Sequence, residues 1–457
     1  MASLRTARDA FGEWIDRVAL ESPARLTLGA FAITILLFTG LLSLPAATSS
    51  GERAPFVDAL FTSTSAVCVT GLVTVDTGTY WSPWGLTIIG LAIKVGGLGI
   101  MTLASLAGLA VSRRIGLTQR ILAAGESRAA GLGDLGSLLR TVVIVSTTVE
   151  LTIAAILVPR FLTLDYGWAK SFGYSVFYGV SAFNNAGFTP DPAGLYPYAG
   201  DLWMLVPIGL GVFIGGLGYP VYLNMIRQWR SPRKWSLHTK LTLVTVTVLA
   251  FISASFLALF EWTNPLTLGD HSSGKTIGNV FFQSINQRSG GFASFDVGLA
   301  REQTWLLEDV LMFIGGGSGS TAGGIRVTTL AVLVLAAWAE ARGRRDIEAF
   351  GKRIGTEVLR IAVSITLMGL FVVIVTTGIF MWQTDIPLDR SLYEVVSAYA
   401  TCGLSTGITG DLDSDAKMTL IITMYLGRVG SLTLASALML NRQRRVVRYP
   451  SERPLIG

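Results

Sequence analysis

Four short stretches place a glycine in the same setting: Val69-Thr70-Gly71-Leu72, Asn185-Ala186-Gly187-Phe188, Ser289-Gly290-Gly291-Phe292 and Thr401-Cys402-Gly403-Leu404. Gly71, Gly187, Gly291 and Gly403 are 116, 104 and 112 residues apart (187 − 71, 291 − 187, 403 − 291), so a unit of nearly constant length recurs through the chain. Each stretch follows an apolar run of helix-forming length that is too brief to cross a bilayer, at 56–67, 171–183, 277–285 and 391–400. A half-helix that stops inside a membrane leaves backbone carbonyls unpaired, and these require water or a cation. Four such ends around one axis would offer a ring of carbonyl oxygens able to replace the hydration shell of a monovalent cation. None of the four stretches contains Asp or Glu. The negative helix ends, roughly half a charge each, would favour the cation in their place.

The elements that must hold these stretches are long apolar helices on either side of each. The pattern predicts first spans at 26–44, 141–158, 241–260 and 358–382, and second spans at 84–112, 202–226, 305–337 (interrupted) and 418–440. The expected fold is an all-α polytopic membrane protein of four tandem span, pore half-helix and span units, eight transmembrane helices in pseudo-fourfold array around one central pore. The units run 26–112, 141–226, 241–337 and 358–440. They are joined by loops at 113–140, 227–240 and 338–357 and flanked by an N-terminus, 1–25, and a tail, 441–457. An even number of spans per unit keeps all units in one orientation, so the repeats are parallel and not inverted. The second spans carry a glycine signature of their own: Val95-Gly96-Gly97-Leu98-Gly99, Ile214-Gly215-Gly216-Leu217-Gly218, Ile314-Gly315-Gly316-Gly317-Ser318 and Leu426-Gly427-Arg428-Val429-Gly430. Close helix packing alone would also use such glycines. Recurrence in step with the first motif points to a shared architecture.

Composition agrees. With 51% hydrophobic and 14% charged side chains in 457 residues, the chain carries more apolar surface than a soluble fold can hide. Most of the 36 Lys and Arg lie in the N-terminus, the three loops and the tail, whereas acids such as Asp76, Asp191, Asp201, Asp296 and Asp411 mark the alternate connections. That alternation places the basic segments and both termini in the cytoplasm, gives the +6 net charge no need of nucleic acid, and lets the half-helices enter from outside. The two cysteines, Cys68 and Cys402, sit at the repeated motif and are too few for a structural zinc site. No cleavable signal peptide is expected, because the first thirty residues mix acids and bases ahead of the first long apolar run.

Three features modify the pore. Gly315-Gly316-Gly317-Ser318-Gly319-Ser320-Thr321-Ala322-Gly323-Gly324 breaks the third unit's second span, since six glycines in ten residues suit a helix interior poorly at about 1 kcal/mol each. An irregular, water-lined intramembrane loop is expected; a phosphate-cradling loop would need a Lys after its last glycine, which is absent. Arg428 replaces a glycine of the fourth signature and sets a permanent cation inside the bilayer, where it either faces the pore or ties down helix-end carbonyls. Lys94 and Glu150 lie deep in unbroken spans and could pair with each other.

The single-glycine stretches, with Asn184-Asn185-Ala186-Gly187-Phe188 in the second and Arg288-Ser289-Gly290-Gly291-Phe292 in the third, resemble the Trk/Ktr/HKT superfamily of K⁺ transporters over roughly 26–440, most nearly the membrane subunits of Ktr systems. The resemblance implies K⁺ as the transported ion. Its filter would be the carbonyls of Val69, Thr70, Asn185, Ala186, Ser289, Gly290, Thr401 and Cys402, closing on the four glycines. It makes 315–324 a gate beneath that filter and Arg428 an electrostatic barrier, and it leaves Na⁺ as a candidate activator. It further implies a homodimer seated on a cytosolic ring of RCK-type regulatory subunits (KtrA-like) that carry the nucleotide; anionic membrane lipid is the other role open to the basic loops. Lys94 departs from the family, where an uncharged polar residue is usual; Arg288, Asn184, Asn185 and Asn286 are left between bracing the loops and touching the ion.

Two other classes compete. An intramembrane hydrolase at Ser318 or Ser320 lacks a base, since His238 and His271 fall at membrane edges. A non-conducting permease or sensor would be expected to show inverted repeats.

Overall fold

The structure, a computed structural model, describes residues 23–114, 135–270 and 272–440. The expected N-terminus before Pro23, most of the 113–140 loop and the 441–457 tail lie outside the described residues. The chain folds into helices α1 (Pro23–Leu42), α2 (Phe56–Val67), α3 (Pro83–Arg114), α4 (Leu135–Leu162), α5 (Trp168–Asn184), α6 (Leu202–Leu217), α7 (Tyr219–Arg227) and α8 (Leu237–Glu261). These are followed by α9 (Ser273–Asn286), α10 (Glu302–Phe313), α11 (Val327–Ala341), α12 (Thr356–Thr384), α13 (Leu388–Tyr399) and α14 (Ser414–Leu440). A two-stranded hairpin, β1 (Ile347–Ala349) and β2 (Lys352–Ile354), joins α11 to α12.

Local chemistry sets the helix ends. Pro55 precedes α2. The Asp201 carboxylate accepts from the Trp203 N–H at the start of α6, and the Ser236 hydroxyl accepts from the Thr239 N–H at the start of α8. The outer faces expose large apolar side chains, among them Phe251, Leu259, Phe371 and Ile374. Such a surface is tolerable only against lipid tails. Among the described residues, three helical stretches are by themselves long and apolar enough to cross a membrane, Arg140–Leu162, Leu237–Glu261 and Thr356–Thr384, and α6 with α7 makes a fourth if the bent pair is taken as one.

One expectation is corrected. The second span of the second unit, read as continuous over 202–226, is two helices meeting at 93°. Gly218 breaks it with φ +91° and ψ 146°, a conformation suited to glycine, and Pro220 starts the next helix without needing a backbone donor.

Packing is cyclic. Each short helix lies between the two longer segments around it in three cases, α2 between α1 and α3, α5 between α4 and α6, and α13 between α12 and α14, while α9 packs on α8. Then α3 packs on α5, α6 on α9, α10 on α13, and α14 returns to α2 to close the circle.

The second-span glycines admit the short helices. A Cβ at Gly96 would overlap the carbonyl oxygen of Val67, one at Gly215 that of Phe183, and one at Gly427 that of Tyr399. In every case the oxygen belongs to the residue four before the glycine of the repeated stretch, Gly71, Gly187 or Gly403. The third unit differs, for Gly315 meets Gly323 O within its own loop. Gly96→Ala is therefore expected to lower the melting temperature of detergent-solubilised protein by a few degrees, overpacking costing about 1–3 kcal/mol. Gly90→Ala, whose Cβ would find its nearest neighbour at 3.7 Å, should leave it unchanged.

Candidate functional site

The last turn of each short helix is shaped by its own backbone. In α2 the Thr70 N–H donates to Ser65 O (2.7 Å) and the Val69 N–H to Ala66 O (3.1 Å), a helix-ending pattern that puts Val69 in the left-handed region at φ +55°. In α13 the Cys402 N–H donates to Ser397 O (2.9 Å) and the Thr401 N–H to Ala398 O (3.2 Å), with Thr401 at φ +45°. In α5 the Ala186 N–H donates to Ser181 O (2.8 Å) and Asn185 takes φ +59°. Serine side chains complete the turns: Ser65 Oγ accepts from the Gly71 N–H and Ser397 Oγ from the Gly403 N–H, both at 3.0 Å, and Ser181 Oγ donates to Phe188 O at 2.8 Å. Left-handed geometry is rare for β-branched Val and Thr, so Val69 and Thr401 hold local strain that these bonds sustain.

The third segment is built otherwise. Ile285 stands where the others have Ser, the Gly290 N–H donates to Asn286 O at 2.7 Å, and Ser289 Oγ is engaged by the Gly323 N–H at 3.1 Å.

These turns meet. A Cβ on Gly71 would lie 2.5 Å from Ala186 O and 3.2 Å from Gly187 Cα; one on Gly187 would lie 2.8 Å from Gly291 Cα; one on Gly291 would lie 2.5 Å from Cys402 O. A Cβ on Gly403 would overlap Thr70 O and lie 2.9 Å from Gly71 Cα. The four glycines thus close a ring in chain order, first to second to third to fourth to first. The carbonyls of Thr70, Ala186 and Cys402 each border the glycine of an adjacent segment. Among the described residues no backbone N–H donates to the carbonyls of Thr70, Ala186, Gly290 or Cys402. Such a cluster of partial negative charge can bind a dehydrated cation.

The 315–324 segment is irregular backbone between α10 and α11 and packs against the fourth of these turns. Gly323 abuts Ala400 O and the Thr401 side chain, while Thr321 Oγ1 donates to Phe183 O (3.3 Å) or Gly215 O (3.2 Å). Its other edge fills the break in the second unit: the Gly317 N–H donates to Gly216 O (2.8 Å) and the Tyr219 N–H to Gly319 O (3.3 Å). Ser318 and Ser320 face Thr328 and the loop's own Gly317 carbonyl, and among the described residues neither meets a histidine.

Sequence reasoning missed Arg326. Its Nη1 donates to Ala322 O at 2.7 Å, to Gly317 O at 3.3 Å and to Ser320 Oγ at 3.4 Å, so one guanidinium clamps both arms of the loop. Arg428 is 4% exposed, donates from Nη1 to Thr401 Oγ1 at 3.3 Å, and lies within electrostatic reach of Arg326. Its Nε and Nη2 have no protein partner among the described residues. Glu308 was also missed: buried on α10, it accepts from Gln287 Nε2 (2.6 Å) and Tyr393 Oη (2.5 Å), bracing the third and fourth turns from behind. A carboxylate at a non-pore helix position gives no sequence signal for this, because its partners come from other units. Asn286 Nδ2 donates to Phe282 O, and Arg288 is buried beside Ser289 against a cavity of about 20 Å³ that also borders Gly315 and Gly316. Cys402 Sγ points away from the ring, toward Gln287 O at 3.4 Å. Outside the spans, burial raises the Asp191 carboxyl above the ordinary range, opposed by hydrogen bonds from Tyr178 and Tyr166.

Comparison with known proteins shows the family of the chain. A family profile described as "TrkH: Cation transport protein" matches residues 30–448. The chain is 34% identical to the Ktr system potassium uptake protein B of Bacillus subtilis over 97% of its own length and 98% of that protein. It is 33% identical to the potassium/sodium uptake protein NtpJ of Enterococcus hirae, over 95% and 97% respectively. Among solved structures it is similar to the potassium transporter TrkH of Vibrio parahaemolyticus, with a TM-score of 0.68 at 17% identity, covering 91% of this chain and 85% of that one; that likeness bears on fold alone.

Proposed function

Because the chain belongs to the TrkH family of cation transport proteins, we propose that it carries K⁺ into the cell as the ion-conducting membrane subunit of a Ktr-type system. The observation that carries this reading is the ring itself, four helix C-termini from four quarters of one polypeptide bringing their unpaired carbonyls to one point. The names of the relatives, potassium uptake and potassium/sodium uptake, support K⁺ as cargo and Na⁺ as the ion it must be told from.

In this reading 26–112, 141–226, 241–337 and 358–440 are the pore units, and Val69 to Gly71, Asn185 to Gly187, Ser289 to Gly291 and Thr401 to Gly403 form the filter. The loop from Gly315 to Gly324 is the gate: it engages three of the four filter turns or the helix ends behind them, and it rests on a broken helix that can change its bend. Arg428 adds a positive barrier at the fourth turn. Both termini and the basic loops are cytoplasmic. There Arg230, Arg233, Lys234, Arg344 and Arg345 are exposed and available to anionic lipid or to an RCK-type ring under a homodimer, with nucleotide bound by that ring. Each filter segment supplies one glycine at the aligned position and few carbonyl layers, which favours moderate K⁺ over Na⁺ discrimination.

Purified protein in liposomes tests the whole reading. Rb⁺ tracer is expected to enter down an imposed K⁺ gradient and to be competed by external K⁺ at lower concentration than by Na⁺. Folded protein that passes no monovalent cation would leave the permease or sensor reading standing; equal competition would make it an unselective Na⁺/K⁺ pathway.

A further inference from the structure

Lys94 and Glu150 form a buried ion pair between α3 and α4, Nζ to Oε2 at 2.6 Å, with side chains 20% and 6% exposed. Lys94 Nζ also donates to Ser146 Oγ at 2.9 Å and Thr147 Oγ1 at 3.3 Å. The second oxygen of the same carboxylate, Oε1, accepts from Asn184 Nδ2 at 2.9 Å. Asn184 is the last residue of α5 and adjoins Asn185, whose left-handed turn starts the second filter segment. The same Nδ2 donates to Val180 O at 2.9 Å, and a Cβ on Gly97 would overlap Asn184 Oδ1, so α3 is shaped to receive this side chain three residues beyond Lys94.

Resting on the filter reading above, we propose that Lys94 and Glu150 are positioning residues for ion selection: through Asn184 they fix the height and orientation of the Asn185-Ala186-Gly187 turn. The ion pair has two tasks that a simple helix staple would not need. The ammonium fixes the carboxylate in apolar surroundings through the 2.6 Å contact, and the carboxylate gives Asn184 a strong, directional acceptor. The turn it steadies has Ala186 O against Gly71 and Gly187 against Gly291, so a tilt of this one turn alters its contacts with two neighbouring segments. A carbonyl ring discriminates ions by its geometry and field, and a looser turn would accept Na⁺ more readily.

The test separates the acceptor from the charge. Removing Glu150 alone would strand a buried ammonium, so both charges are removed together: Lys94→Met/Glu150→Leu takes away the pair and the acceptor, while Lys94→Met/Glu150→Gln keeps a carbonyl acceptor for Asn184. In liposome flux competition, the Leu double variant and Asn184→Ala are expected to lose roughly fivefold in K⁺ over Na⁺ preference, the scale of one hydrogen bond, and the Gln double variant to stay within about twofold of the parent. Melting temperature and gel filtration report folding; if the Leu double variant does not fold, Asn184→Ala carries the comparison. Unchanged preference in folded Asn184→Ala or the folded Leu double variant overturns the proposal, as does a Gln double variant that falls as far as the Leu one. Gly187→Ala is assayed alongside: if it too leaves flux and preference unchanged, the filter reading has failed, whereas an effect there with none at Asn184 defeats only the positioning role.

Discussion

Gly403→Ala is expected to cut K⁺ flux about a hundredfold in protein that still folds, a loss of the size seen when a critical polar group moves by ~1 Å. Two independent obstacles produce it. Gly403 sits at φ +97°, where an L side chain costs roughly 1–2 kcal/mol. The added Cβ would also overlap Thr70 O, a backbone atom of another segment that cannot rotate away as a side chain could. The ring must therefore widen at the contact between its fourth and first members, moving a carbonyl that lines it. Rb⁺ uptake into liposomes is the measurement, with Gly410→Ala as the control, since its nearest neighbour would be an unstrained 3.6 Å away. Wild-type flux through folded Gly403→Ala would contradict the filter assignment. Gly71, Gly187 and Gly291 should behave alike, because each faces a backbone atom of a neighbouring segment.

Arg428→Gln is expected to raise flux by about tenfold to a hundredfold. A fixed positive charge about 6 Å from an ion path, at an effective dielectric near 20, repels a monovalent cation by about 3 kcal/mol. Gln removes that charge and keeps an amide donor, although the amide ends two bonds short of the Nη1 that donates to Thr401 Oγ1. Arg326→Gln should also raise flux by a different route, since it loses the clamp on Ala322 O, Gly317 O and Ser320 Oγ and frees the loop from itself. Initial-rate measurements across K⁺ concentrations distinguish them: loss of repulsion lowers the half-saturating concentration, whereas a loosened loop raises the maximal rate. A fall in flux for folded Arg428→Gln would assign Arg428 to holding the helix end and not to the barrier.

Much of the helical order was legible before any coordinates. The run read as the first half-helix, 56–67, is a helix over those same residues, because Pro55 bounds its start and the Gly71 turn follows its end. The interruption of the third unit was legible because six glycines in ten residues leave no helical alternative. What escaped notice depended on tertiary neighbours. Gly218 lay within an apolar run that hydropathy reads as continuous; only the Gly317 N–H on Gly216 O and Ser318 O against Gly218 show why the helix yields there. Left-handed Val69 and Thr401 contradict the preferences of β-branched residues and exist because serines one turn earlier capture the chain. Arg326 belongs to no motif of its own, and its loop contacts are visible only once the loop has a shape. Lys94 and Glu150 were recognisable as a possible pair from their depth; the link onward to Asn184 was not.

The closure of α14 on α2 also bears on how the protein is made. Synthesis proceeds from the N-terminus, so α2 waits for a partner that begins only at Ser414. Until then the cell holds an open arc of three quarters, in which Thr70 O lacks the glycine it will rest against. On the proposed reading, a chain lacking the last helix is expected not to select K⁺, because the ring closes only when α14 meets α2.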